Sequence, residues 1–152
     1  VHGAPGSGKS TYCNNLNGTD DHRNVFDWST MSINEALLEK EIKRSGNNSV
    51  LALDNYPMYP GPLLILKEKL QEAFGEGLFY GVHLLYTTLQ ELQQNRPKFV
   101  IEPFQRISFY KKKISDAKNL LGENLVSKID YVFRVGEIYS EGSEEDLFKA
   151  MQ

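Results

Sequence analysis

The run Gly3-Ala4-Pro5-Gly6-Ser7-Gly8-Lys9-Ser10-Thr11 constrains the fold more than any other stretch of the chain. Its spacing, G-x-x-x-x-G-K-[ST], puts glycines where the backbone must take conformations closed to other residues, so that successive N–H groups turn inward as a nest for anionic oxygens. Such a nest needs a strand to deliver the chain and a helix to carry it away, the helix adding the partial positive charge of its first turn. The apolar stub Val1-His2 and the segment 9–16 supply those flanks.

Along the rest of the chain, short apolar runs alternate with longer amphipathic stretches, the pattern of strands alternating with helices. Expected strands are 1–2, 24–27, 49–53, 81–86 and 131–135; expected helices are 9–16, 33–43, 62–74, 89–94, 103–121 and 143–151. The strands are apolar throughout, as in parallel strands covered on both faces. With right-handed crossovers they predict an α/β, three-layer sandwich, a five-stranded parallel sheet with helices on both faces. No repeat, low-complexity run or linker interrupts residues 1–152, which read as a single domain. The chain opens without Met on a fragment of the expected first strand and ends in a helix lacking a Gly or Pro terminator. The expectation is a domain excised from a longer parent that carries other domains.

With 40% hydrophobic and 24% charged residues, composition is that of an ordinary globular domain, which excludes a fibrous or disordered chain. The net charge of −3 gives no global positive field, so any nucleic-acid contact is local and a membrane is not an expected partner. Cys13 is the single cysteine, and no apolar run approaches the roughly 18 residues of a membrane span. The expected location is the cytoplasm or another reducing intracellular compartment. The sequons at 17–19 and 47–49 read as chance matches, since nothing at the N-terminus resembles a signal peptide.

The chemistry of the loop follows from its residue types. Gly3, Ala4, Pro5, Gly6, Ser7 and Gly8 wrap the phosphates, Lys9 bridges the β- and γ-phosphates, Ser10 offers its hydroxyl to Mg²⁺, and Thr11 bonds an α-phosphate. Val50-Leu51-Ala52-Leu53-Asp54 is an apolar strand ending in an acid, and Asp54 suits a carboxylate that holds Mg²⁺ through water. The expected cofactors are ATP or GTP with Mg²⁺.

Other motifs, taken in order, carry a family resemblance. Leu53-Asp54-Asn55-Tyr56-Pro57 resembles the Leu-Asp-Gly-Phe-Pro segment of adenylate kinases and other nucleoside monophosphate kinases. Val82-His83-Leu84-Leu85-Tyr86, followed by the helix closing in Asn95-Arg96, is similar to their fourth strand and the short helix after it. Gln105-Arg106-Ile107-Ser108-Phe109-Tyr110 looks like the start of the helix after their lid, and 142–147 like their last helix. The resemblance implies a P-loop NTPase fold with sheet order 2-3-1-4-5, Arg96 and Arg106 as lid arginines over the transferring phosphoryl group, and Gly136 at the border of the purine. Bidentate guanidinium contacts suit the charge at a transferring phosphoryl group.

Departures from that pattern redirect the expected acceptor. The interval between Asp27 and Val50 has no room for a monophosphate-binding insert, Met58 stands where those kinases place an arginine on the acceptor phosphate, and the lid reduces to residues 97–102. Asp27 closes the expected second strand, where an acid deprotonates the hydroxyl acceptor in polynucleotide, shikimate and gluconate kinases. Read from the residues alone, it is equally a cap or turn residue with Ser29 and Thr30. The pattern also resembles phage-type polynucleotide kinases. The expectation is an ATP-dependent phosphotransferase, a P-loop kinase moving the γ-phosphate to a nucleotide or a nucleic-acid 5′-hydroxyl. Its expected catalytic residues are Lys9, Asp27, Arg96 and Arg106, and its metal residues Ser10 and Asp54. An NTPase motor such as a viral helicase and a non-catalytic nucleotide-binding module are the rival readings.

Smaller features point both ways. Lys111, Lys112, Lys113 and Lys118 form either a strand-binding surface or, more often for such a run, a solvated helix face. Trp28, Tyr56 and Tyr59 either stack on a base or pack at the rim. His2, His22 and His83 read as structural, with no zinc-ligand spacing, and Cys13 as a small buried side chain.

Overall fold

The computed structural model of the chain describes residues 1–21 and 23–151, with the backbone alone for Asn47. His22, expected to be structural, lies outside the described residues. In chain order the elements are β1 (His2–Gly3), α1 (Lys9–Asn17), β2 (Phe26–Asp27), β3 (Ser32–Ile33), α2 (Glu35–Arg44), α3 (Pro60–Phe74), β4 (Gly81–Tyr86), α4 (Leu89–Asn95), α5 (Pro103–Gly122), β5 (Lys128–Val135), β6 (Ile138–Gly142) and α6 (Glu144–Ala150). Short 3-10 turns follow α2 and α4.

The helices stand close to where local chemistry places them. Asn34 caps α2 by accepting from the Leu37 N–H, Thr88 caps α4 by accepting from Glu91 N–H, and Ser143 and Asp146 form a reciprocal capping box on α6. Expected to begin at Pro62, α3 instead begins at Pro60. Both prolines sit in its first turn, where the missing N–H has no helical acceptor to lose.

The sheet corrects the expectation of five parallel strands. The main sheet has four, in the order β1-β4-β5-β6; β1 and β5 run parallel to β4, and β6 runs antiparallel to β5. β2 and β3 form a separate antiparallel pair. Three local causes account for the difference. Residues 24–27 turn back on themselves at residues 28–31, where Asp27 accepts from the Ser29 N–H and Met31 takes a φ of 53°, so they make a ribbon and never reach the main sheet. Residues 49–53 form no strand, their backbone bonds going to Val1 and to the Asn17 side chain rather than to a ladder. Val1 N donates to Leu53 O and Asn55 N donates to Val1 O, both at 2.8 Å, while Ala52 is held on its other edge by both amide atoms of Asn17. Finally, Gly136, with a φ of 59°, starts a two-residue turn that reverses β5 into β6.

β4 lies between β1 and β5 and organises the core. Val82, Leu84 and Tyr86 point to one face, where they join Leu38, Leu63, Leu66, Tyr110, Ile114, Ala117 and Leu147 in one apolar cluster. His83 points to the other face and bonds there to Tyr12 of α1 across 2.6 Å. Tyr110, Ile114 and Ala117 recur at helical spacing on α5, which fixes the buried face of that helix. A cavity of about 640 Å³ opens beside Val1, between residues 50–53 and 80–83, and none of residues 3–11 lines it. Among the described residues no helix is long and apolar enough to cross a membrane.

Candidate functional site

The glycine-rich run leaves β1 and enters α1. Gly6 and Gly8 take φ values of 82° and 84°, the left-handed region that other residues rarely adopt. A Cβ on Gly8 would also sit 2.7 Å from Arg134 Cδ and from the Tyr139 hydroxyl. The loop is anchored from below by Tyr110, whose hydroxyl accepts from the Ala4 N–H at 3.1 Å and donates to Leu85 O at 2.6 Å. Burial pushes the Tyr110 phenol up to about 12, so it stays a neutral donor.

Lys9 bends back over the loop and donates to Gly3 O at 2.7 Å. Burial lowers its pKa, and the nearby Asp54 carboxylate opposes that shift. Ser10 Oγ donates to Asp54 Oδ2 at 3.2 Å. The two backbone bonds between Val1 and the 53–55 segment hold Asp54 beside the start of the loop. Asp54 is 7% exposed, its Oδ1 has no hydrogen-bond partner, and the buried Ser7 hydroxyl has none either. An acceptor left unpaired next to a serine hydroxyl fits a hydrated divalent cation, which supplies the missing donors through its waters. Among the described residues no three His, Cys, Asp or Glu side chains converge as a metal cage. A cation here would therefore depend on phosphate oxygens as well as on Ser10 and Asp54.

Two arginines singled out by resemblance lie near the loop or its base. Arg96 ends α4 and donates from Nη1 to Gly6 O at 3.2 Å. Arg106, on α5 one turn before Tyr110, is 2% exposed; its Nη2 donates to Thr87 O while Nε and Nη1 have no partner. Burial lowers the pKa of this guanidinium, and Tyr110 opposes the shift.

A third arginine, Arg134 of β5, escaped the sequence reading. Its Nη1 lies 3.4 Å from Gly6 O. Across the β5–β6 hairpin it pairs with Tyr139, which donates to Gly8 O at 2.9 Å. A charge inside the otherwise apolar run Val132-Phe133-Arg134-Val135 is the signal that could have found it.

Other expected residues stand elsewhere. Asp27 is exposed on the β2–β3 ribbon, where its carboxylate accepts from the Ser29 N–H at 2.8 Å and from the Ser29 hydroxyl at 2.6 Å, and these bonds lower its pKa. Gly136 is the hairpin turn, its N–H donating to Glu91 at 2.6 Å. Thr11 is exposed on the first turn of α1, beside Tyr139. Tyr56 is buried with its hydroxyl on Pro62 O, whereas Trp28 and Tyr59 are exposed. Lys112 pairs with Asp116 and Lys118 with Glu144, as on a solvated helix face. His2 is buried and donates from Nε2 to Tyr56 O at 2.6 Å; His83 meets Asp130 and Tyr12. Cys13 is fully buried, and burial pushes its thiol up to about 12.

The site thus gathers a glycine-rich loop, a lysine, a serine–aspartate pair and three arginines without carboxylate partners among the described residues. Comparisons of the chain with family profiles, with curated proteins and with solved structures gave no match.

Proposed function

We propose that the chain is an ATP-dependent phosphotransferase that uses Mg²⁺ and acts on a nucleotide or a nucleic-acid 5′-hydroxyl. The observation that carries this reading is the Ser10–Asp54 bond at the mouth of a loop holding Lys9, with Asp54 Oδ1 buried and unpaired. Loop amides and Lys9 bind the β- and γ-phosphates, and Lys9 exchanges the Gly3 carbonyl for phosphate oxygen. Ser10 and, through water, Asp54 hold the metal, which when bound draws charge from the phosphate oxygens. Arg96 and Arg106 steady the charge on the transferring group, as the short segment 97–102 between them settles over the site. Asp27 is the candidate base for a hydroxyl acceptor, which requires it to exchange its Ser29 contacts for the acceptor. The buried Cys13 thiol suits a reducing compartment.

The test is incubation of the chain with γ-labelled ATP and Mg²⁺ against nucleoside monophosphates, 5′-hydroxyl oligonucleotides and no acceptor. Transfer of label to either acceptor supports the phosphotransferase. Phosphate release without transfer assigns an NTPase motor, and ATP binding without turnover assigns a nucleotide-binding module. Equal ATP binding by the wild type and Lys9→Met refutes the loop assignment itself.

A further inference from the structure

Neither the loop motif nor the lid resemblance accounts for Arg134. It is 4% exposed, its Nε has no partner, and its guanidinium bond to Gly6 O at 3.4 Å is long for N–H···O. Among the described residues no carboxylate pairs with it. A guanidinium this buried is strongly disfavoured without a counter-ion or full hydrogen bonding. The surroundings supply neither: Tyr139 offers only a ring face, 5.8 Å away, and spends its hydroxyl on Gly8 O. A Cβ on Gly8, at the turn where the loop becomes α1, would lie 2.7 Å from Arg134 Cδ and 2.8 Å from its Nε. Phosphate oxygens are acceptors that match both the charge and the planar fork of a guanidinium.

We infer that Arg134 is a phosphate ligand of a bound nucleoside di- or triphosphate, its guanidinium exchanging the Gly6 carbonyl for phosphate oxygens. This rests on the nucleotide-binding reading of the loop. Arg96 and Arg106 are carried by helices on either side of the segment 97–102, whereas Arg134 is fixed in the sheet and paired in register with Tyr139. Arg134 is therefore in place before the ligand arrives, and β6 has a function: it seats Tyr139 on the loop and walls Arg134 in. A ligand with one phosphate gains least from this arrangement, so Arg134 favours di- and triphosphates over monophosphates.

The test uses the wild-type chain first. Arginine Nε–Hε resonances are assigned by triple-resonance NMR and followed during titration with inorganic pyrophosphate, and calorimetry gives the affinities of wild type, Arg134→Gln and Arg134→Lys for ATP and AMP. The Arg134 resonance is expected to move with pyrophosphate. Arg134→Gln is expected to weaken ATP on the order of 10- to 100-fold with a smaller change for AMP, and Arg134→Lys to recover part of the loss, because it keeps the charge without the planar fork. An unmoved Arg134 resonance while loop amides shift overturns the role of Arg134 and leaves the loop assignment standing. Absence of pyrophosphate and ATP binding by the wild type overturns both. Should Arg134→Gln fail to fold, the wild-type titration decides alone.

Discussion

Ser10 Oγ and Asp54 Oδ2 meet at 3.2 Å although 44 positions separate them in the chain. Nothing in either local segment dictates that meeting. It comes from Val1, which bonds to both Leu53 and Asn55 and thereby brings the end of one apolar run alongside the loop that starts two residues later. The pair leaves Asp54 with one satisfied and one unsatisfied oxygen.

From this pair follows a metal prediction. Asp54→Asn keeps the shape and removes the charge, so it should leave metal-free ATP binding nearly intact while weakening the Mg²⁺-dependent gain by about 10- to 100-fold, the range for groups that reach a metal through water. Calorimetry of ATP with and without Mg²⁺ checks it. An identical Mg²⁺ gain in wild type and variant would remove Asp54 from the metal.

Tyr110 links core to loop, which makes it a test of how stability reaches the site. Tyr110→Phe keeps the ring in the apolar cluster but leaves the Ala4 N–H and the Leu85 carbonyl without their shared partner. The expected loss is about 1–3 kcal/mol, the cost of a buried polar group left unpaired, read from urea unfolding. The same variant should relax the amide exchange protection of Ala4 and its neighbours, an effect absent from a mutation of equal cost elsewhere in the core.

Arg106→Lys tests the transition-state part proposed for Arg106. A lysine keeps the charge but cannot offer two coplanar donors, so turnover should fall by ~10²-fold or more with ATP affinity nearly unchanged. Steady-state kinetics with ATP titration separates the two quantities. An equal change in both would make Arg106 a ground-state ligand only.

His2 gives a pH dependence. Burial, reinforced by Lys113, pushes its imidazole down to about 2, against an ordinary 6.5. The unfolded chain then binds a proton near pH 6.5 that the folded chain refuses. Stability conferred by neutral His2 is full above that value and is lost as pH falls below it, by up to 1.36 kcal/mol per pH unit. Between pH 7 and pH 5 the loss from this group is about 2 kcal/mol. His83, also lowered by burial, adds in the same direction. Urea unfolding at both pH values, in wild type and in His2→Gln, isolates the contribution: the variant should show a shallower fall.

Much of the site was legible in the sequence because it is local. The glycine-rich loop, Lys9 and Ser10 occupy one short run, α1 and α5 begin at the expected residues 9 and 103, and α4 begins at 89, directly after its cap Thr88. The sheet was less legible, since it depends on partners distant in the chain. Residues 49–53 carry a strand's composition, but composition cannot reveal that the Asn17 side chain, 35 positions earlier, takes both backbone groups of Ala52. Ile138–Gly142 is half exposed and mixed in polarity, a poor match to a buried strand, yet a glycine able to take a positive φ was enough to fold it back on β5. Arg134 was missed with it, because its meaning depends on Tyr139 across that turn.

Under the proposed phosphotransfer, Asp27 distinguishes the two classes of acceptor. In the structure its carboxylate is tied to Ser29 by two bonds that lower its pKa, which favours the ionised form a base must have at neutral pH but weakens its pull on a proton. If the acceptor is a 5′-hydroxyl, Asp27→Asn removes the base and transfer to oligonucleotides should fall on the order of 10²- to 10⁴-fold with ATP binding unchanged. A monophosphate acceptor is already anionic and needs no base, so the same variant should then transfer at the wild-type rate. Because asparagine can still accept from the Ser29 N–H, the β2–β3 turn survives in the variant, and any loss belongs to chemistry rather than to an unfolded ribbon. Measuring transfer to both acceptors with wild type and Asp27→Asn therefore reads out the acceptor class and the function of Asp27 in one experiment.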